Sequence, residues 1–323
     1  MLRNYFIRKL LNLAPLFLGI TFISFAVMRL APGSPVDARS DLNPKITVEA
    51  KLRFEKIYGL DRPFIAQYWV WLKRVAKADF GRSFVDGENV SAKIAHAAPI
   101  TLWINLLSLF VVCLAGIWIG VIGAAHEGKR LDHTLTILSL AGFSAPTFWL
   151  ALLAMSFFGV QLRILPVSGL VSVFFDQMSL WEKTLDLARH LVLPVLVSSV
   201  TGIAGISRLT RSGMIETLKE DFIRTARAKG LPERQVFYGH ALKNAILPVV
   251  TILGLSVPGL LGGSVIFESI FSIPGMGRLF FNSVFARDYP VIMGILVLGA
   301  FLTLIGNLLA DLAYGLLDPR IRL

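Results

Sequence analysis

The sequence predicts an all-α integral membrane protein with six transmembrane helices. Two observations carry that expectation. Only 16% of the 323 residues are charged, where a soluble domain of this length carries roughly 25%. Mean hydropathy is +0.68, and the charges withdraw from runs of about 20 residues, enough for a helix rising ~1.5 Å per residue to cross a ~30 Å hydrocarbon core.

The first such run lies at about 9–30. Its opening, MLRNYFIRKLLNLAPLFLGITFISFAVMRLAPGSP, imitates a secretory signal with a basic start and an apolar middle. The apolar stretch Leu10–Val27 is too long for a typical signal core, and Pro32 follows the only small residue at its end, so it reads as a retained first span. The remaining spans are expected at 99–125, 134–160, 190–210, 246–270 and 290–316. Pro146, Pro194 and Pro258, with Gly254, Gly259, Gly262 and Gly263, bend helices and let them approach closely, which suits a protein that opens and closes a path.

This divides the chain into a first span (1–30), an extracytoplasmic segment (31–98) and a core of five helices (99–323). The extracytoplasmic segment holds folded structure. Thr47 caps a helix over 48–58 closed by Gly59, and Asp61-Arg62-Pro63 starts a second, FIAQYWVWLKRVAK. That helix sets Tyr68, Trp69 and Trp71 beside Lys73 and Arg74, a mixture that favours the headgroup layer. It reads either as a lid on the bilayer or as a docking surface for a soluble partner, and the two are compatible.

The basic balance, +11 with a pI near 10.0, follows from topology rather than from nucleic-acid binding. Connections on one side, including both ends of the chain, hold fifteen Lys or Arg against five on the other, which puts both termini in the cytoplasm. The long 31–98 connection is exempt from that rule. Cys113 is the single cysteine, so no disulfide forms within the chain, and the five histidines lack ligand spacing. No metal or cofactor site is expected.

Gly123–Arg130, GAAHEGKR, stops one residue short of a phosphate-binding loop. Arg130 takes the place of the Mg²⁺-binding hydroxyl, and a membrane helix precedes it instead of a strand. The chain is therefore expected not to hydrolyse ATP unaided and not to be an enzyme. His126-Glu127 opens no zinc-protease helix, since the next histidine is His133. Asn307 and Asp311 share a face of the last span. They read as a polar tie between helices or, in a secondary transporter, as a proton site. Arg29 and Glu268 are expected to snorkel to the outer interface.

The segment from Glu220 to Val250, EDFIRTARAKGLPERQVFYGHALKNAILPVV, interrupts two apolar runs with a basic, helix-prone stretch. Asp221 is a competent N-cap for a short helix, FIRTARAK. Gly230 can end it in the left-handed conformation, and Pro232 begins a second helix leading directly into the fifth span. A short helix rigidly joined to a span transmits a push.

This stretch resembles the coupling loop of ABC-transporter permeases, although Arg224-Thr225-Ala226 replaces the usual Glu-Ala-Ala and the Leu-Pro pair arrives late, at Leu247-Pro248. Both departures resemble the peptide branch, as do RLAPGSPVD, YGLDRP, DFGRSF, GFSAPTFWLALL, LPVSG, ESIFSIPGMGRL, RDYPV and DLAYGLLDPRIRL. In order, they span the chain and resemble the dipeptide/oligopeptide permease family, B-type subunit. The resemblance implies a type I ABC importer permease fold with a cytoplasmic coupling segment at 211–245, in the bacterial cytoplasmic (inner) membrane. It implies a C-type permease partner, two ABC ATPase subunits that bind the ATP, and an extracytoplasmic substrate-binding protein, with no nucleic acid. It implies coupling through Asp221, Arg224, Thr225, Ala226, Arg227, Lys229 and Gly230. Peptides are the implied cargo, with nickel chelates, glutathione or oligosaccharides as alternatives within the family, and a proton-coupled secondary transporter as the rival outside it.

Overall fold

The computed structural model describes residues 2–30 and 62–317. Helices, in order, are α1 (Leu2–Leu30), α2 (Phe64–Val75), α3 (Val90–Ala125), α4 (Arg130–Ser144) and α5 (Thr147–Ala154), the last continued by a π-helical turn, Met155–Gln161. Then come α6 (Leu180–Thr217) and α7 (Asp221–Ala228), a second π-helical turn (Gln235–Ala241), α8 (Leu242–Ala245) and α9 (Leu247–Ser256). A 3₁₀ stretch, Val257–Leu261, leads to α10 (Val265–Ile270), α11 (Met276–Phe285) and α12 (Tyr289–Leu317). The helix expected at 48–58 lies outside the described residues.

Among the described residues, four helices are long and apolar enough to cross a membrane alone, and two bent pairs raise the count to as many as six. The differences from the expected spans have local causes. The third span is not one helix: α4 and the α5 segment meet at 102°. Pro146 cannot continue the ladder and forces the preceding Ala145 to extended backbone, φ −74°, ψ 130°. The fourth span begins ten residues early, because Ser179 and Glu182 form a reciprocal capping box. At 38 residues α6 runs for about 57 Å, well beyond a bilayer core. The helix before the fifth span does not run straight into it. The 235–245 segment and α9 are bent by 43°, and the apolar stretch then tightens to 3₁₀ before α10.

The chain forms two compact units. One contains Met1–Thr101, Leu261–Val265 and Gly275–Leu323; the other contains Leu102–Leu260 and Ile266–Pro274. In the first, α1 packs along α12, with Phe17 edge-on to Phe301. Helix α2 lies against α1 through Phe22, Phe25, Phe64, Tyr68 and Trp71. The buried Tyr68 hydroxyl donates to the Leu18 carbonyl at 3.2 Å and lies 3.1 Å from the Thr21 hydroxyl. DFGRSF and RDYPV meet here: the buried Asp288 accepts from the Ser83 hydroxyl at 2.5 Å and the Phe84 N–H at 2.9 Å. Val90, Ile94, Met276 and Val291 close the core beneath.

The second unit is built on α6, against which α3, α4, α5, α8 and α9 pack. Glycines set its α3–α6 contact. A Cβ on Gly120 would lie 2.5 Å from the Ser207 carbonyl oxygen, one on Gly116 2.8 Å from Ile206, and one on Gly202 2.7 Å from Val112. Of the glycines singled out in the fifth span, Gly254 and Gly259 do not serve close approach in this way, since each has open space where a Cβ would go. Serines complete the packing, Ser108 with Ser198 at 2.5 Å and Ser139 with Ser207 at 3.2 Å.

Gly120→Leu is expected to push α3 off α6 and cost about 1–3 kcal/mol. Gly205→Ala, facing open space on the same α6, is expected to be neutral or to stabilise by up to ~1 kcal/mol. Thermal unfolding of the detergent-purified variants separates the two; equal melting would disprove the close-approach account.

Candidate functional site

The short helix α7 carries the site. Its N-cap is Glu220, with extended backbone, rather than Asp221, and no side chain caps it. Asp221 is the first helical residue, where its charge faces the positive end of the helix dipole, and it accepts from Arg224 Nη1 at 3.3 Å. The far end closes as expected. Gly230 has φ +77°, its N–H donates to the Arg227 carbonyl at 2.9 Å, and the Leu231 N–H reaches the Ala226 carbonyl at 3.4 Å. These paired bonds terminate a helix on a left-handed residue, and Leu231 and Ala226 also share one apolar cluster.

The period of the helix sorts its residues into two faces. Ile223 (0% exposed) and Ala226 (6%) turn inward and pack with Met214 of α6, Ala124 of α3, and Val236, Ala241 and Ala245. Asp221, Arg224, Thr225, Arg227, Lys229 and Gly230 are exposed. Ala226, grouped with them by sequence, is a packing residue of the inner face. Phe222, which the sequence reading passed over, is 43% exposed among the charges. Its place one residue before Ile223 on a helix with a single apolar face is the signal that could have found it.

Arg227 also reaches past the turn. Its Nε and Nη2 donate to Glu233 Oε1 and Oε2 at 2.7 and 3.3 Å, fastening α7 to the segment that follows Pro232. The hydrogen bond from Arg227 holds the Glu233 carboxyl below its ordinary range, and the same bond raises the Arg227 guanidinium. A depressed carboxylate contributes stability above its unfolded pKa of ~4.3 and loses it as pH falls through the lower folded value. The clasp is therefore intact at neutral pH.

A second polar contact lies in the same unit. Asp132, 2% exposed, accepts from Arg211 Nε at 2.5 Å and Nη2 at 2.7 Å, and from the Gly128 N–H at 2.9 Å. This accounts for GAAHEGKR. Its last glycine, at φ +72°, turns the chain so that its N–H caps Asp132. The pair ties the start of α4 to α6 three residues before Met214, which touches the α7 cluster. Sequence reading missed it, because the partners stand 79 positions apart. Of the intramembrane polar residues, Asn307 is exposed on α12, and the side chain of Asp311 lies outside the described residues.

Comparison with known proteins agrees with this architecture. The family described as binding-protein-dependent transport system inner membrane component matches residues 116–323. The oligopeptide transport system permease protein AppB of Bacillus subtilis is 41% identical, covering 98% of this chain and 98% of its own. The di/tripeptide transport system permease protein DppB of Pseudomonas aeruginosa is 38% identical over 99% and 98%. The dipeptide transport system permease protein DppB of Escherichia coli K12 is 37% identical over 99% and 98%. Among solved structures, a chain of the MetNI methionine ABC transporter, in inward-facing conformations, superposes with a TM-score of 0.55 at 17% identity, over 71% of this chain and 97% of that one. That likeness is one of fold alone.

Arg211→Met is expected to strand the buried Asp132 carboxylate and destabilise the protein by about 3–5 kcal/mol, and adding Asp132→Asn to recover part of the loss. Melting of the single and double variants checks this; additive losses would refute the pairing.

Proposed function

Because the chain belongs to the family of binding-protein-dependent transport system inner membrane components, we propose that it is the permease subunit of an ATP-binding-cassette importer, forming half of a path for di- and oligopeptides. The observation that carries this reading is the end-to-end similarity, 41% over 98% of the chain, to a protein named as an oligopeptide permease. Two further relatives, at 38% and 37%, are named for di/tripeptide and dipeptide transport. The distribution of Lys and Arg supports a multi-pass orientation with both termini in the cytoplasm.

In this reading a second permease completes the path, an extracytoplasmic binding protein delivers the peptide, and two ATPase subunits bind and hydrolyse ATP. No cofactor resides in this chain. An ATPase subunit grips the exposed face of α7: Arg224, Lys229 and Asp221 supply charge complementarity, and Phe222 supplies an apolar anchor of the kind that dominates interfaces. The inner face does the transmission. Ile223 and Ala226 are packed against the ends of α3 and α6 and against the 236–245 segment, so displacement of α7 shifts all three. The Arg227–Glu233 clasp keeps α7 moving with the segment beyond Gly230. Asp132 and Arg211 extend the same rigid body to α4.

Gly230 is the sharpest test. A Cβ there meets nothing within 4 Å, so any effect of substitution comes from the left-handed backbone alone, about 1–2 kcal/mol for an ordinary residue. In the reconstituted importer, Gly230→Val is expected to insert normally, to keep ATP hydrolysis, and to lower peptide uptake by roughly tenfold. Gly230→Asn, which tolerates this conformation, is expected to retain uptake. Normal transport by the valine variant would overturn the coupling role of α7.

A further inference from the structure

A cavity of about 560 Å³ opens in the first unit between the end of α1, α2 and the loop that follows α2. Among the described residues its wall carries Arg29, Arg62, Arg74 and Arg82 with one carboxylate, Asp79, and the rings of Phe25 and Trp71 beside them. Nothing in the transport reading uses this site. We propose that it binds a phosphate-type oxyanion, supplied by the headgroup of an anionic phospholipid.

Among the described residues the charge of the wall is unbalanced. Asp79 already accepts from the Gly81 N–H at 2.9 Å, shaping the loop. Among the described residues no ion pair engages any of the four arginines. Arg82 makes one long contact, 3.5 Å, to the Gly87 carbonyl, and the Arg29 guanidinium sits 5.7 Å from the centre of the Phe25 ring. Guanidinium groups present planar forks of N–H donors that match the spacing of phosphate oxygens, and four around one cavity favour an anion.

Surroundings select the lipid source. Arg29 lies in the last turn of α1, a helix of membrane-spanning length. Val70, Trp71 and Arg74 of α2 line the cavity, and on its other face the same helix exposes Ile65 and Trp69, 53% and 54%. The apolar part of the wall, Phe25, Met28, Val70 and Trp71, suits acyl chains attached to a phosphate, and aromatic with basic side chains is the pattern of a headgroup layer. A bare inorganic phosphate would leave most of the volume and the apolar wall unused. The inference needs α1 in a bilayer and is independent of the transport reading.

The test is native mass spectrometry of the full chain in detergent, with phosphatidylglycerol or zwitterionic phosphatidylcholine at equal concentration. The parent protein is expected to retain phosphatidylglycerol about tenfold more than phosphatidylcholine. The Arg74→Gln/Arg82→Gln variant is expected to bring the two lipids to parity. Both positions are exposed, so unchanged melting separates loss of the site from loss of the fold, and Arg62→Gln offers an independent lesion ahead of α2. Equal retention of the two lipids by the parent protein, or full retention by well-folded variants, overturns the proposal. Displacement of the lipid by millimolar inorganic phosphate would assign the site to a soluble anion and overturn the lipid source.

Discussion

Hydrocarbon around a helix is as apolar as a leucine side chain, so burying apolar surface between membrane helices yields little. Cohesion then falls to close backbone approach and to a few satisfied polar pairs, and both recur throughout this protein. Gly116, Gly120 and Gly202 let α3 and α6 meet at distances that a single methyl group would prevent. Ser108 with Ser198 and Ser139 with Ser207 join helices through hydroxyls, and Asp132 with Arg211 does so through charge. In the first unit, Tyr68 on Leu18 and Asp288 on Ser83 and Phe84 play the same part.

This economy bears on how a push could travel. The α7 cluster is small and apolar, and it touches the ends of α3 and α6 and the 236–245 segment at once. One helical turn from its Ala124, at Gly120, the α3–α6 contact rests on a glycine that a Cβ would not fit. The 102° break at Pro146 and the 43° bend before α9 mark where the second unit departs from straight helices.

The parts of the site legible in the chain were those encoded locally. The left-handed Gly230 could be read because a helix-prone run, a glycine and Pro232 stand in one short stretch. The helix after Pro63 could be read for the same reason. The inward packing of Ala226 was hidden by the family pattern in which it stands, since a small residue suits a packed face as well as an interface. Asp132 and Arg211 were invisible as a pair, because nothing in either neighbourhood names the other. The capping box at Ser179 and Glu182 was readable and went unread, which is why α6 is longer than expected.

The amino-acid sequence alone determined the solvent of this protein and the position of its polar interruption, because hydropathy over 20 residues and helix-ending signals are properties of contiguous chain. Tertiary structure decided which small residues bring helices together, which face of α7 is free, and where four arginines share a cavity. Those depend on the rotation of each helix about its axis and on partners far away in the chain. Gly120 and Gly254 look alike in the sequence, and only the helix opposite distinguishes them.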